Sequence, residues 1–105
     1  EIVTQTTYYS IIYDAYREVY YRFVTIGREM DDSDLVDQFP QMKNDFSIIV
    51  LDKDFNFLTE KRFPGKIHKP YNSFVGKNGL YLSRTNSFYE GLNEDEVVLD
   101  IYRFD

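Results

Sequence analysis

Cysteine is absent from the 105 residues of this sequence. Its absence excludes disulfide bonds, thiolate metal sites and cysteine nucleophiles, but it does not decide the compartment, because a domain with a sufficient core needs no bridges. Histidine is nearly as scarce. His68 is the single imidazole, so a zinc site would need carboxylates for most of its ligands. Apolar runs are short, and none approaches the ~20 residues that a membrane-spanning helix requires. We therefore expect no transmembrane segment.

Positive charge is also in short supply. Lysine and arginine total 12 against 18 aspartate and glutamate residues, which leaves a formal net charge of -6. Binding to a phosphate backbone needs clustered lysine and arginine side chains. Nucleic acid is therefore excluded as the main partner.

Apolar residues make up 43% of the chain and aromatic residues 18%, which is enough to build a core. They follow the pattern of strands, because runs rich in Tyr, Ile, Val and Phe suit a pleated, buried surface. The predicted strands cover residues 8–14, 19–26, 46–52 and 57–63, a hairpin over 72–84 and a last strand over 97–104. A helix over residues 8–26 is the rival interpretation, but its apolar stripe would be too broad and its tyrosines favour strands. We predict an all-β fold of about seven strands, with helix confined to residues 27–45.

Some predicted strands are apolar on both faces. In the first strand Tyr9, Ile11 and Tyr13 share one face, while Tyr8 and Ile12 lie on the other. Strands of this kind usually lie between two layers. We predict core positions in the middle of the strongest apolar runs, namely Ile11, Ile48, Val50, Phe74 and Leu99.

The order of the predicted elements gives four strands and then three. Two hairpins come first, a connection with Pro and Gly spans residues 64–71, and a hairpin and one strand follow. Four-stranded sheets repeated radially are the blades of β-propellers. We predict one region of antiparallel four-stranded meander sheets, with a first blade at residues 1–64 and a last, incomplete blade at 65–105 whose closing strand lies outside the chain. A small β-sandwich is the alternative.

Three segments carry a resemblance to a known family. They are residues 13–23 (YDAYREVYYRF), 46–54 (FSIIVLDKD) and 77–81 (KNGLY). With them the chain resembles the C-terminal part of a family of bacterial six-bladed propellers, a domain of unknown function in predicted lipoproteins of gut-type anaerobes. The resemblance implies a periplasmic or outer-membrane-associated setting and no particular reaction. The chain begins at Glu1 and lacks the lipid-bearing cysteine of such lipoproteins, so we expect a processed chain or an excised part of one.

Two acidic groups could in principle hold a cation. Asp52, Asp54 and Asn56 have the spacing of a calcium loop, but Phe57 and Phe63 stand where an EF-hand needs Gly and Glu. We interpret this segment as a β-turn whose side chains cap backbone groups. The second group is interpreted as a solvated acidic loop and consists of Asp31, Asp32, Asp34 and Asp37. We predict no metal site and no cofactor.

Three residues are candidates for ligand binding. Arg22 lies between two aromatic residues in a predicted central strand and, if buried, needs a carboxylate or carbonyl partner or a channel to face. Tyr20 has an apolar body and a polar tip, which suits either packing or stacking on a ligand. His68 lies in a basic stretch between Gly65 and Pro70, and we predict that it is a histidine in a surface loop.

The function that these observations favour is a non-enzymatic binding or scaffold module. Its expected partners are the rest of a propeller, a second copy of the chain, or a glycan or protein ligand. The alternative is part of a glycan hydrolase, in which Glu90 would act with Glu94 or Asp95. Glycoside cleavage needs two carboxyl groups about 5 to 9.5 Å apart across a cleft, a distance that sequence spacing does not give.

Overall fold

Seven antiparallel strands form the protein, as the computed structural model shows for residues 7–27, 43–86, 88–92 and 98–104. The strands are β1 (Thr7–Asp14), β2 (Val19–Thr25), β3 (Phe46–Asp52), β4 (Phe57–Phe63), β5 (Phe74–Gly76), β6 (Gly79–Ser83) and β7 (Leu99–Tyr102). A 3₁₀ turn at Pro70–Asn72 precedes β5. The predicted all-β class is confirmed, and the described ranges contain no α-helix. Most of the predicted excursion over 27–45 lies outside the described residues.

The strands form two sheets in the order of the chain. Strands β1, β2, β3 and β4 make a four-stranded meander, and β5, β6 and β7 make a three-stranded one. Tight turns join β1 to β2, β3 to β4 and β5 to β6, and each of these turns connects two strands that pair directly. In the last hairpin Gly79 has φ of 148°, and a Cβ there would lie 2.7 Å from the carbonyl oxygen of Tyr102. Glycine is therefore required at this turn.

Asp52 builds the turn between β3 and β4. Its Oδ1 accepts hydrogen bonds from the backbone N–H groups of Asp54 at 2.8 Å and Asn56 at 2.9 Å, and its Oδ2 accepts one from Asn56 Nδ2 at 3.2 Å. These bonds hold the pKa of Asp52 below its usual value, the Asn56 backbone bond contributing most. The predicted capping turn is confirmed.

The core lies between the two sheets. Its buried members are Val19, Tyr21, Phe23, Phe46, Ile48 and Val50 from the first sheet and Leu80 and Leu82 from the second. Ring contacts join the layers, since Tyr102 of β7 meets Tyr21 at 6.4 Å and Phe63 at 5.7 Å, both edge to face. Aromatic pairs in this geometry add to the free energy gained by burying their area.

Among the described residues the core occupies one face of each sheet, and on the outer face of the first sheet the pair Val24 and Ser47 is also buried. Ile48 and Val50 are fully buried, as predicted. The predicted burial of Ile11, Phe74 and Leu99 is wrong, because these side chains are 50%, 48% and 39% exposed. Each is in the middle of an apolar run, but the alternation of a strand places it on the outer face of its sheet.

The two sheets repeat the same positions. Aligning Ile11 with Phe74 and Ile12 with Val75 gives an offset of 63 residues, which is 74 minus 11. Ile11 and Phe74 both point outward, while Ile12 and Val75 both pack against the core. The pairing agrees, because Ile12 pairs with Tyr21 and Val75 pairs with Leu80. The second sheet is thus built like the first three strands of the four-stranded sheet.

Candidate functional site

A charged group lies at the margin of the apolar layer between the sheets, where the Asp100 side chain is 37% exposed. Asp100 of β7 pairs with Leu82, and in the four-stranded sheet the equivalent pair is Ile48 with Phe23. The second sheet therefore carries a carboxylate at a position where the first carries a buried isoleucine. A charge at such a position requires partners that replace its hydration.

Two cationic or polar side chains supply those partners. Arg84 donates to Asp100 from Nε at 2.7 Å and from Nη2 at 3.2 Å, which is the two-pronged geometry favoured by guanidinium and carboxylate. His68 Nε2 lies 2.6 Å from Asp100 Oδ2. Arg84 also donates from Nη1 to the Tyr89 hydroxyl at 3.2 Å. We call Asp100, Arg84, His68 and Tyr89 the Asp100 cluster.

His68 is not on the surface, and the predicted surface-loop position is wrong. Its side chain is 7% exposed and stands edge-on to the rings of Phe46 at 6.1 Å and Phe63 at 5.9 Å. The Asn86 side chain donates to the His68 backbone carbonyl at 3.0 Å and fixes the loop. The basic neighbours in sequence gave no indication of this burial, because the partners of His68 are distant along the chain.

Within the described residues the Asp100 cluster does not complete a hydrolytic triad. In such a triad the imidazole nitrogen opposite the carboxylate receives a hydrogen bond from the nucleophilic hydroxyl. His68 Nδ1, the nitrogen opposite Asp100, is buried and has no hydrogen-bond partner among the described residues. The arrangement joins β7 to the connection that precedes β5, and its chemistry is that of an ion-paired structural centre.

The Asp100 cluster makes stability depend on pH. The hydrogen bonds from Arg84 hold the pKa of Asp100 below its usual value. A group whose pKa is lowered on folding stabilises the protein above its unfolded pKa, about 3.9 for Asp, and loses that contribution as the pH falls through its folded pKa. We expect the difference in unfolding free energy between the native sequence and Asp100→Asn to be larger at pH 7 than below pH ~3. Urea unfolding at both pH values measures it, and an equal difference at the two would contradict the assignment.

A second charged cluster ties the two sheets together, and the sequence analysis missed it. Asp14 at the end of β1 is fully buried and accepts four hydrogen bonds, from the Tyr16 and Arg17 backbone N–H groups, from Arg17 Nη1 at 3.0 Å and from the Tyr21 hydroxyl at 2.7 Å. Arg17 then donates from Nη2 to the Lys77 carbonyl at 2.7 Å in the β5–β6 turn. An aspartate that opens a turn is a familiar capping signal. Its link to the second sheet has no local sign in the sequence.

The ionisation of this second cluster follows from its geometry. Burial acts to raise the pKa of Asp14, but the hydrogen bonds from Tyr21 and Arg17 outweigh it and lower that pKa below its usual value. Burial, together with the neighbouring Asp14, raises the pKa of Tyr21 well above its usual value. Asp14 is therefore a carboxylate and Tyr21 a neutral phenol at neutral pH.

Comparison with known proteins assigns the family. The family model of a domain of unknown function, DUF4221, matches residues 1–62. The chain belongs to the DUF4221 family. It is also similar to the crystal structure of a DUF4221 member from Bacteroides vulgatus, with 35% sequence identity and a TM-score of 0.81 over 93% of this chain. The match spans 27% of the length of that solved protein. A search of curated proteins finds no match.

The three candidate ligand-binding residues of the DUF4221 chain do not lie on one surface. Tyr20 and Arg22 share the outer face of β2, whereas His68 lies in the inner layer. Arg22 is exposed and its strand neighbours are Ile11 on one side and Ile49 on the other, so the case of a buried Arg22 does not arise. Strand β2 is central in the sheet, but the Arg22 side chain lies on the outer face, away from the second sheet.

The remaining acidic candidates form no site in the described ranges. Glu90 is exposed, while Glu94, Asp95 and the aspartates at positions 31–37 lie outside the described residues. In the described part of the chain no three His, Asp or Glu side chains gather closely enough to hold a metal ion. No helix there is long and apolar enough to cross a membrane.

Proposed function

We propose that this DUF4221 chain is a non-enzymatic binding or scaffold module, formed by two neighbouring blades of an envelope-associated β-propeller. The observation that carries the proposal is the repetition of inner positions in two stacked meander sheets. Tyr21 and Phe23 of the first sheet are matched by Leu80 and Leu82 of the second, and all four are buried between them. Radial repetition of one sheet design is the principle of the propeller.

The partners of the charged side chains support a structural role for these side chains rather than a catalytic one. Among the described residues Asp14 lies in the core and Asp100 beside it, and an arginine side chain pairs with each of them. A catalytic carboxylate must face a substrate with its reactive oxygens. Here the oxygens accept hydrogen bonds from residues that join strands and turns, so they hold the sheets in place.

The cellular setting is part of the same proposal. The resemblance in sequence to predicted lipoproteins favours a periplasmic or outer-membrane-associated protein. Fractionation of the native bacterium with an antibody to this domain tests this directly. Detection with the outer-membrane or periplasmic markers agrees with it, and detection with cytosolic markers overturns it.

A glycan array combined with a hydrolysis assay separates a binding module from a hydrolase. We expect that the polypeptide encoded by the complete reading frame releases no reducing sugar from any glycan on the array, including those that it binds. Glu90→Gln is the matched variant, because it removes the exposed carboxylate that a hydrolase would use. Sugar release that disappears in this variant would overturn the proposal in favour of a carboxylate-dependent hydrolase.

A further inference from the structure

The turns at one end of the two sheets bring three positively charged side chains together. Arg17, in the β1–β2 turn, donates from Nη2 to the Lys77 carbonyl at 2.7 Å and from Nη1 to the Gly76 carbonyl at 3.4 Å. Arg103, which follows β7, donates from Nε to the Asn78 carbonyl at 2.8 Å. Two arginines from other segments therefore bind successive carbonyls of the β5–β6 turn, and Lys77 adds a third cation to that turn.

Two of these cations are not neutralised by an acidic side chain. Arg17 forms an ion pair with the buried Asp14 at 3.0 Å. Lys77 and Arg103 are exposed, and neither forms an ion pair with a residue that the structure describes. The Nε bond to the Asn78 carbonyl ties the Arg103 guanidinium to the turn. A guanidinium that is held in place and has no carboxylate partner is suited to bind an oxyanion from outside.

An exposed ring and two polar side chains border the cations. Tyr16 precedes Arg17 in the β1–β2 turn and is 66% exposed. Glu18 in the same turn and Asn78 in the β5–β6 turn are exposed as well. Aromatic side chains combine an apolar body with a polar tip, and amide and carboxylate groups bond hydroxyls. We call Tyr16, Glu18, Lys77, Asn78 and Arg103 the turn-end surface.

The chemistry of the turn-end surface fits an acidic sugar. A nucleic acid would need many more clustered cations than the three that meet here. An extended peptide binds a sheet edge through main-chain hydrogen bonds, whereas this surface consists of turns. A sugar acid uses each feature, because its carboxylate pairs with the cations, its hydroxyls bond the amide and Glu18, and its ring lies against Tyr16.

We propose that the turn-end surface binds a uronic acid residue of a glycan, with Lys77 and Arg103 on its carboxylate. The inference rests on the proposed function, because it names the ligand class of the binding module. The site lies at the turn end of the sheets, so its ligand approaches neither the core nor the outer sheet faces.

Binding of uronic acid polymers to the complete polypeptide tests the inference. The probes are immobilised polygalacturonate, alginate and hyaluronate, and fully methyl-esterified polygalacturonate is the uncharged control. We expect binding to at least one acidic polymer, weakened by added salt. Its affinity should fall at least about tenfold in the double variant Lys77→Gln and Arg103→Gln, because hydrogen bonds to charged groups are lost. Lys53→Gln is the matched control, since it removes an exposed lysine of the β3–β4 turn, outside the surface, and should leave the affinity unchanged.

Each further outcome has a defined meaning. Binding to none of the three acidic polymers overturns the inference and leaves the proposed function standing. The same holds for equal affinity toward the methyl ester, for unchanged affinity in the double variant, and for an equal loss in Lys53→Gln. Tighter binding to polyglutamate than to every uronic acid polymer assigns the surface to an acidic peptide and overturns the inference. Hydrolysis of a bound polymer that Glu90→Gln abolishes overturns the proposed function instead. If the double variant fails to fold, Tyr16→Ala supplies the same comparison.

Discussion

Replacing Asp14 with alanine is expected to lower the free energy of unfolding by about 3–5 kcal/mol, because it removes one partner of a buried ion pair. The change leaves the Tyr21 hydroxyl buried without its 2.7 Å acceptor and releases the Arg17 side chain that reaches the second sheet. Typical domains are stable by only about 5–15 kcal/mol, so the variant should unfold at much lower urea concentration. Urea unfolding followed by circular dichroism measures the effect.

Tyr21→Phe is the control for this variant. It removes only the hydroxyl that donates to Asp14 and keeps the ring, which is fully buried. A single hydrogen bond to a charged group contributes about 1.5–3 kcal/mol, so the loss should be smaller than that of Asp14→Ala. An Asp14→Ala variant as stable as the native sequence would contradict the assignment of this cluster as the tie between the sheets.

Two isoleucines provide a matched test of which sheet face is covered. Ile48→Ala should cost about 2–5 kcal/mol, because Ile48 is fully buried and its loss leaves a cavity. Ile11→Ala makes the same chemical change in a side chain that is half exposed. It should cost clearly less, because the transfer free energy scales with the area removed from water.

Chemical unfolding of both isoleucine variants decides the point. Equal losses would mean that the outer face is as well covered as the inner one in this chain. A loss well below 1 kcal/mol for Ile48→Ala would contradict the position of the core between the sheets, since buried truncations of this kind cost about 2–5 kcal/mol.

The strands could be predicted from the sequence because their determinants are local. The run over 46–52 is predicted and observed with the same bounds, and so is the run over 57–63. Between them lies a turn whose Asp52 side chain caps its own neighbours. Aromatic and β-branched residues favour extended backbone, and Asp and Asn favour turns, whatever the rest of the chain does.

The sequence did not predict which face of each strand is buried or which residues form the charged clusters, because both depend on residues that are distant along the chain. Ile11 and Ile12 are adjacent and equally apolar, and only the position of the second sheet decides that Ile12 packs inward. His68 was expected on the surface from its lysine neighbours, yet it is buried beside an aspartate 32 residues away. The link from Arg17 to Lys77 likewise spans 60 residues.

The second sheet leaves an apolar outer face like that of the first. Phe74 stacks on Tyr81 at 5.0 Å and is 48% exposed, and Ile101 beside them is 42% exposed. A free-standing sandwich would use one apolar face in each sheet and place polar residues outside. Two sheets with apolar residues on both sides are instead what the proposed propeller requires of its blades.

Sedimentation of the 105-residue chain alone tests that claim most directly. Because large apolar side chains such as Phe57 and Phe74 are exposed on the two outer faces, the chain should self-associate at micromolar concentration, so that its average mass rises with concentration. Phe57→Ser and Phe74→Ser should each shift it toward the monomer, because each removes a large apolar side chain from one outer face. A stable monomer of 12.6 kDa at all these concentrations would contradict the claim and favour a free-standing sandwich.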